Sequence, residues 1–455
     1  MSTSKSGKWL AGFVLGTLFI VAVVVWSSAR CPQEKLTELR GFVGRGAPQR
    51  EMEGSVALSK FGQQIGKVRY IASTRAPRIK LSPPIHRPFI LPLKMIPISS
   101  NGSSIYLESR MELEFVLHDK SHIFVSVQAD TGSQYLVLMG DNCVQCSPEH
   151  GVFPTNEPGM VEESEMEFSY GIGDYTGSFY QSQLFNGKQP VPLQFAVASS
   201  ATPCKTFFQN LPAGDTSCND AIGGLLPTPV RAMSSSKSFL DQILGSLDRS
   251  IPHPHSFVLD YRKGKEQIVF GVEDTHGKKI PLLDESIIKD LFDSEGIPYY
   301  LVKLEGAFFQ PDDRGIKGYS IKLPPYAIID SGTTLFAAST RYTESIVFGR
   351  DEKHREATMA NPAPGSLLHA EKGVLYLDFG EGSYLAAYIP GKQLASQLFT
   401  PLQMMDTPPF DQVLLVGLIA LVGNVISHNI KEKYITIRRP ECAPVGSSSV
   451  PAGCR

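Results

Sequence analysis

Two stretches of this sequence repeat one pattern two hundred residues apart. The first is SHIFVSVQADTGSQYLVLMG, centred on Asp130-Thr131-Gly132-Ser133. The second is PPYAIIDSGTTLFAAS, centred on Asp330-Ser331-Gly332-Thr333. Each is an apolar run, an aspartate, a hydroxyl residue, a glycine, a second hydroxyl residue and another apolar run. A single D-[S/T]-G is a weak signal, because Asp, Ser and Gly are ordinary turn residues. Two copies of the extended pattern are far more specific. They imply two structurally similar halves, each contributing one carboxylate.

The chemistry of such a pair follows from charge. Two carboxyls brought close cannot both ionise cheaply, so they share a proton, and one acts as base while the other acts as acid. A pair of this kind activates water and protonates a carbonyl without a covalent intermediate. Asp130 and Asp330 are therefore the candidate catalytic groups, and no metal or cofactor is expected. Gly132 and Gly332 let backbone N–H groups approach the carboxylates. The hydroxyls of Thr131 and Ser331 are placed to link the two loops. Those of Ser133 and Thr333 are placed to bind the outer carboxylate oxygens. The plain alternative is two unrelated surface turns.

The surrounding texture is that of an all-β chain. IYLESRMELEFVLHD, HIFVSVQA, MEFSYGIG, TGSFYQSQLF, SFVLDY, EQIVFGV, YYLVKLEGAFF, VLYLDF and YITIRR alternate apolar and polar residues as half-buried strands do. Helices are expected only over residues 235–247 and 340–350. VLLVGLIALVGNVI (413–426) is too short to span a bilayer and reads as a buried core segment.

With three further landmarks, the two motifs resemble those of the pepsin-like aspartic proteases. Tyr170-Gly171-Ile172-Gly173-Asp174-Tyr175-Thr176-Gly177 is similar to that family's flap hairpin, with Tyr170 as the flap tyrosine and Gly171 beside it. The plain reading of Tyr170 is strand packing. Asp220-Ala221-Ile222-Gly223-Gly224-Leu225 resembles the family's D-G-I-L-G-L segment, and Leu415-Val416-Gly417 its counterpart near the end. The resemblance covers residues 99–440, most of the chain. It implies a bilobal double β-barrel with an active-site cleft between lobes. Residues 99–273 would form the N-terminal lobe with the first aspartate and the flap, and residues 274–441 the C-terminal lobe. It implies an aspartic-type endopeptidase, made as a zymogen and acting as a monomer on peptide or protein substrates. The alternative is a catalytically inactive pepsin-like protein that binds peptides. The departures bear on flap closure and substrate preference. MELEFVLHDKS replaces the usual glycine-threonine-proline turn, Val137 stands where a tryptophan is common, Ala221 replaces Gly, and Leu418 stands where Asp is usual.

The flanks of the chain add a compartment. WLAGFVLGTLFIVAVVVW (9–26) carries no charge and follows two lysines, so residues 1–30 read as a signal peptide, or as a cytosolic stub with a membrane anchor. Trp9 and Trp26 bracket the run as an aromatic belt would, whereas Ser27-Ser28-Ala29 is a passable cleavage site. Both readings send the remainder into the secretory pathway, either as a type II membrane protein or released into the endolysosomal lumen or outside. Residues 31–98 carry twelve Lys or Arg against four Glu in a chain of net charge -2. A basic leader thus precedes an acidic body, which excludes nucleic acid as a natural partner and suits a prosegment docked on the body. Six body cysteines fit an oxidising compartment. Cys143 with Cys146 and Cys204 with Cys218 each bracket a short loop and are the natural local pairs, although six cysteines allow 15 connectivities. Asn101-Gly102-Ser103 is a glycosylation sequon. Residues 442–455 read as a flexible tail.

Overall fold

The computed structural model describes residues 52–54, 68–70, 84–100, 103–157, 165–170, 173–185, 190–202, 220–228, 238–284, 300–311, 318–349, 373–389, 399–401 and 410–438, with single positions 287, 356, 366 and 367. The apolar run 9–26, Asn101, Gly171, Cys204, Cys218 and the tail 442–455 lie outside the described residues. The chain divides into two compact units, residues 1–50 and residues 51–455, and every described element belongs to the second.

The chain is mostly β-sheet, as the alternating patterns require. In the strand Ser103–Val116, Met111, Leu113 and Phe115 are fully buried, while Glu112 and Glu114 between them are partly exposed. Among the described residues the largest sheet has thirteen strands. Its middle runs Gln267–Phe270, Phe89–Ser100, Ser103–Val116, His122–Asp130, Ile222–Gly224, Leu136–Val144, Pro190–Ala201, Gly173–Phe185. A five-stranded sheet contains Tyr326–Ile329, Val413–Val416 and Phe336–Ala338 as its central strands, and a four-stranded sheet is built on Gly306–Pro311 and Gly373–Asp378.

One motif of topology occurs twice. Ile222–Gly224 lies between His122–Asp130 and Leu136–Val144, parallel to the first and antiparallel to the second. Val413–Val416 lies in the same way between Tyr326–Ile329 and Phe336–Ala338. Each inserted strand therefore wedges open the hairpin that carries an aspartate.

The two expected helices form as Phe239–Ser246 and Thr340–Phe348. Ser238 starts the first by accepting from the Asp241 N–H at 3.0 Å, and Gly349 ends the second in the left-handed region at φ 72°. The segment 413–426 resolves into strand, one helical turn Leu418–Leu421 and strand, with Asn424 buried. Among the described residues no helix is long and apolar enough to cross a membrane.

The leader differs from its sequence reading at its C-terminal end. Residues 31–98 suggest little core, yet Ile85, Phe89, Leu91 and Leu93 are buried. Phe89–Pro92 pair with Gln267–Phe270, and the Ile85 N–H donates to the Ser246 carbonyl at 2.9 Å. The basic, proline-rich composition conceals a period-two apolar pattern at 89, 91 and 93 that serves a strand.

Candidate active site

Asp130 closes the strand His122–Asp130, and Asp330 follows directly on Tyr326–Ile329. The inserted strands fix both. The Leu225 N–H donates to the Asp130 carbonyl at 2.7 Å, and the Asp330 N–H donates to the Val416 carbonyl at 3.0 Å. Both wedges need glycine at their tips. A Cβ on Gly224 would lie 2.6 Å from the Tyr135 nitrogen, and one on Gly417 would lie 2.0 Å from the Leu335 carbonyl oxygen. The partners are backbone, so neither site can relax around a larger residue.

The two loops then grip each other crosswise. The Thr131 N–H donates to Ser331 Oγ at 3.0 Å, and the Ser331 N–H donates to Thr131 Oγ1 at 2.8 Å. Each hydroxyl donates onward to a carbonyl of the opposite strand, Thr131 to Ile329 at 3.0 Å and Ser331 to Ala129 at 2.7 Å. Both hydroxyl residues are buried, so these four bonds are shielded from water.

This grip brings the carboxyls together. A Cβ on Gly132 would sit 2.7 Å from Asp330 Oδ1, and a Cβ on Gly332 would sit 2.2 Å from Asp130 Oδ1. Each carboxyl thus packs on the glycine of the other motif, and Asp330 lies within hydrogen-bonding reach of Asp130. Within each motif the glycine N–H returns to its own aspartate, from Gly132 to Asp130 Oδ1 at 2.7 Å and from Gly332 to Asp330 Oδ1 at 2.9 Å. Thr333 Oγ1 donates to Asp330 Oδ2 at 2.6 Å. Ser133 is its counterpart beside Asp130. Its buried hydroxyl helps to lower the Asp130 pKa, although it falls short of full hydrogen-bond geometry. Burial, and next the charge of Asp330, push Asp130 up to about 8, against the lowering effect of the Gly132 N–H.

Other expected residues are placed with less detail. Tyr170 pairs with Gly173 where the antiparallel strands Glu165–Tyr170 and Gly173–Phe185 meet. Val137 is fully buried and packs in one cluster with Met139, Tyr175, Phe179 and Ile222. Cys143 and Cys146 form a disulfide.

Several residues around the pair escaped the sequence reading. Gln128 Nε2 donates to the Gly332 carbonyl at 2.9 Å. Tyr261 is buried near Ser109, Ser331 and both aspartates, and burial pushes its phenol up to about 12 while the two serine hydroxyls lower it. The Tyr300 hydroxyl donates at 2.6 Å to the carbonyl of Leu225, the residue whose N–H holds the Asp130 carbonyl. Arg110 is fully buried and pairs with Glu108 and, at 2.8 Å, with Asp220, which also meets His150. Asp220 in turn accepts from the Ala221 N–H at 2.6 Å at the entry to the inserted strand. Arg110 and Asp220 are far apart in sequence, and Arg110 shares the polar parity of Glu108, Glu112 and Glu114 in its strand, so no sequence signal pointed to it.

No family model matches the chain, and no curated protein matches it.

Proposed function

We propose that the chain is an aspartic endopeptidase with a bilobal, pepsin-like double-barrel fold. The observation that carries this reading is the reciprocal Thr131–Ser331 grip, which seats each aspartate on the glycine of the other motif. Nothing in packing alone asks two buried loops to present paired carboxyls in this way.

The pair enters the reaction with one proton. A water held between the carboxyls gives a proton to the ionised one as its oxygen adds to the scissile carbonyl. The protonated carboxyl gives its proton to the carbonyl oxygen. The tetrahedral intermediate then collapses as the C–N bond breaks and a proton passes to the leaving amine. The raised pKa of Asp130 suits the proton-holding role, since it keeps one proton on the pair from acid to neutral pH. The hairpin ending at Tyr170 would close over the substrate and exclude water.

The same reading makes the basic segment ahead of Ile85 an inhibitory prosegment and places the protein in the secretory pathway, tethered or released at residues 9–26. A catalytically silent peptide-binding protein would not require the bonds that the Gly132 and Gly332 N–H groups and the Thr333 hydroxyl make to the two carboxyls.

The test is peptide cleavage against pH, with and without pepstatin, for wild type, Asp130→Asn and Asp330→Asn. Pepstatin-sensitive cleavage that declines toward alkaline pH and disappears in both variants supports the reading. A rate flat across pH, or unchanged turnover in either variant, overturns it.

A further inference from the structure

The crosswise grip is two-fold in its chemistry, but one hydrogen bond joins the loops from one side only. Gln128 precedes Asp130 by two residues, so strand alternation puts both side chains on one face. Its Nε2 reaches across to the Gly332 carbonyl at 2.9 Å. The Gln128 backbone is itself fixed: its N–H donates to the Ala221 carbonyl at 2.9 Å, and it pairs with Arg110 on the other side. The corresponding position before Asp330 is Ile328, which is buried and has no polar group to return the bond.

Gly332 is a sensitive place to hold. Its N–H donates to Asp330 Oδ1 at 2.9 Å, and its Cα faces Asp130 closely enough that a Cβ would be 2.2 Å from Oδ1. The position of this one peptide therefore bears on both carboxyls. A neutral amide donor suits the task, because it holds a carbonyl at any pH without adding charge beside the pair.

We propose that Gln128 is a positioning residue for the Asp130–Asp330 pair, a one-sided clamp that fixes the Gly332 backbone and through it the contact between the two carboxyls. The proposal rests on the endopeptidase reading for its effect on turnover, but not for its effect on the carboxyls themselves. Gln128 touches Gly332 and none of the reacting atoms. Loss of the donor leaves the Gly332 carbonyl without this partner and frees the peptide to shift, and small displacements in such sites are expensive in rate.

Two variants of the full chain test this. Gln128→Leu removes the donor and matches the apolar residue of the other half. Gln128→Glu keeps the shape: protonated, its O–H can donate to the Gly332 carbonyl, and ionised, it turns an oxygen toward that carbonyl. Each is measured by peptide cleavage across pH, by carbon-13 titration of labelled aspartate carboxyls and by thermal unfolding. Gln128→Leu is expected to lower kcat about tenfold or more with KM little changed, and to shift the carboxyl titration. Gln128→Glu is expected to match wild type at the acid end and to lose activity as the new carboxyl ionises, moving the alkaline limb to lower pH. Wild-type kcat and titration in Gln128→Leu overturn the proposal, as does a Gln128→Glu profile that lies parallel to wild type. Should Gln128→Leu fail to fold, the shape of the Gln128→Glu profile decides. If wild type cleaves no peptide, the endopeptidase reading fails, and the carboxyl titration alone decides for or against the clamp.

Discussion

His428 carries the sharpest stability prediction, because the fold holds it in a form that acid opposes. It is fully buried on the strand Val425–Asn429, stacked on Phe257 with ring centroids 4.5 Å apart and met edge-on by Tyr300 at 4.4 Å. Neither ring nitrogen has a hydrogen-bond partner among the described residues. Burial lowers its pKa from 6.5 to about 3. The folded state therefore keeps the imidazole neutral where the unfolded chain protonates it, so the contribution of His428 to stability is lost as pH drops from 6.5 through about 3. At about 1.4 kcal/mol per unit, the full drop is roughly 5 kcal/mol. His428→Phe removes that titration while keeping an aromatic ring between Phe257 and Tyr300. Overpacking by the larger ring shifts the variant by about 1–3 kcal/mol at every pH alike. The informative quantity is the slope, read from urea unfolding at pH steps from about 7 to about 3. The difference between variant and wild type should swing in favour of the variant by roughly 5 kcal/mol across that range. A constant offset would refute the reasoning, and would mean that the buried imidazole finds a proton partner in solution.

Other consequences come from the same kinds of contact. Gly332→Ala forces a methyl group against Asp130 Oδ1, so turnover should fall about a hundredfold or more while circular dichroism stays native; wild-type kcat would show that the loops are looser than their contacts imply. Removing residues 1–83 should leave a folded protein, whereas removing 1–98 also removes the burial of Phe89, Leu91 and Leu93, each contributing about 1.5–3 kcal/mol, and should abolish cooperative unfolding. N-terminal sequencing of any processed form should accordingly find a start ahead of Ile85. Replacing Cys143 and Cys146 by Ser opens a loop of four residues and should lower stability by about 2 kcal/mol in denaturant titrations, with little effect on cleavage.

The parts of the site legible in the sequence are those written contiguously. Asp130, Thr131 and Gly132 declare themselves because the same chemistry recurs at Asp330, Ser331 and Gly332, and the repeat is what separates them from turn residues. The strands were legible through alternation, and residues 413–426 were legible as core through their length. Gln128, Arg110, Tyr261 and His428 were not legible. Each is a polar or aromatic residue at a strand position or strand end, a pattern that ordinarily means a solvent-facing side chain. Their partners lie elsewhere in the chain; Gln128 and Gly332 are 204 positions apart. The buried strand beginning at Phe89 was hidden for a different reason, since Pro, Lys and Arg around it lower the mean hydropathy without touching its inward face.

His428 and Asp130 also act on each other's consequences, although neither touches the other's chemistry. Asp130 is raised from 3.8 to about 8, so the folded state retains a proton that the unfolded chain has lost. That contribution is full below 3.8 and is lost as pH rises through about 8, the reverse of the His428 effect. Between 3.8 and 6.5 both groups are active, with slopes of about 1.4 kcal/mol per pH unit and opposite sign, so they cancel. These two groups alone give a stability plateau across the acid range in which the pair carries one proton, with a decline below it from His428 and a decline above it from Asp130. Removing either group tilts the plateau in a known direction. Asp130→Asn should make stability rise with pH between about 4 and 6.5, and His428→Phe should make it fall over the same interval. The double variant should restore the wild-type slope. If the two single variants tilt the same way, the buried groups do not control the acid behaviour of the fold, and other carboxylates do.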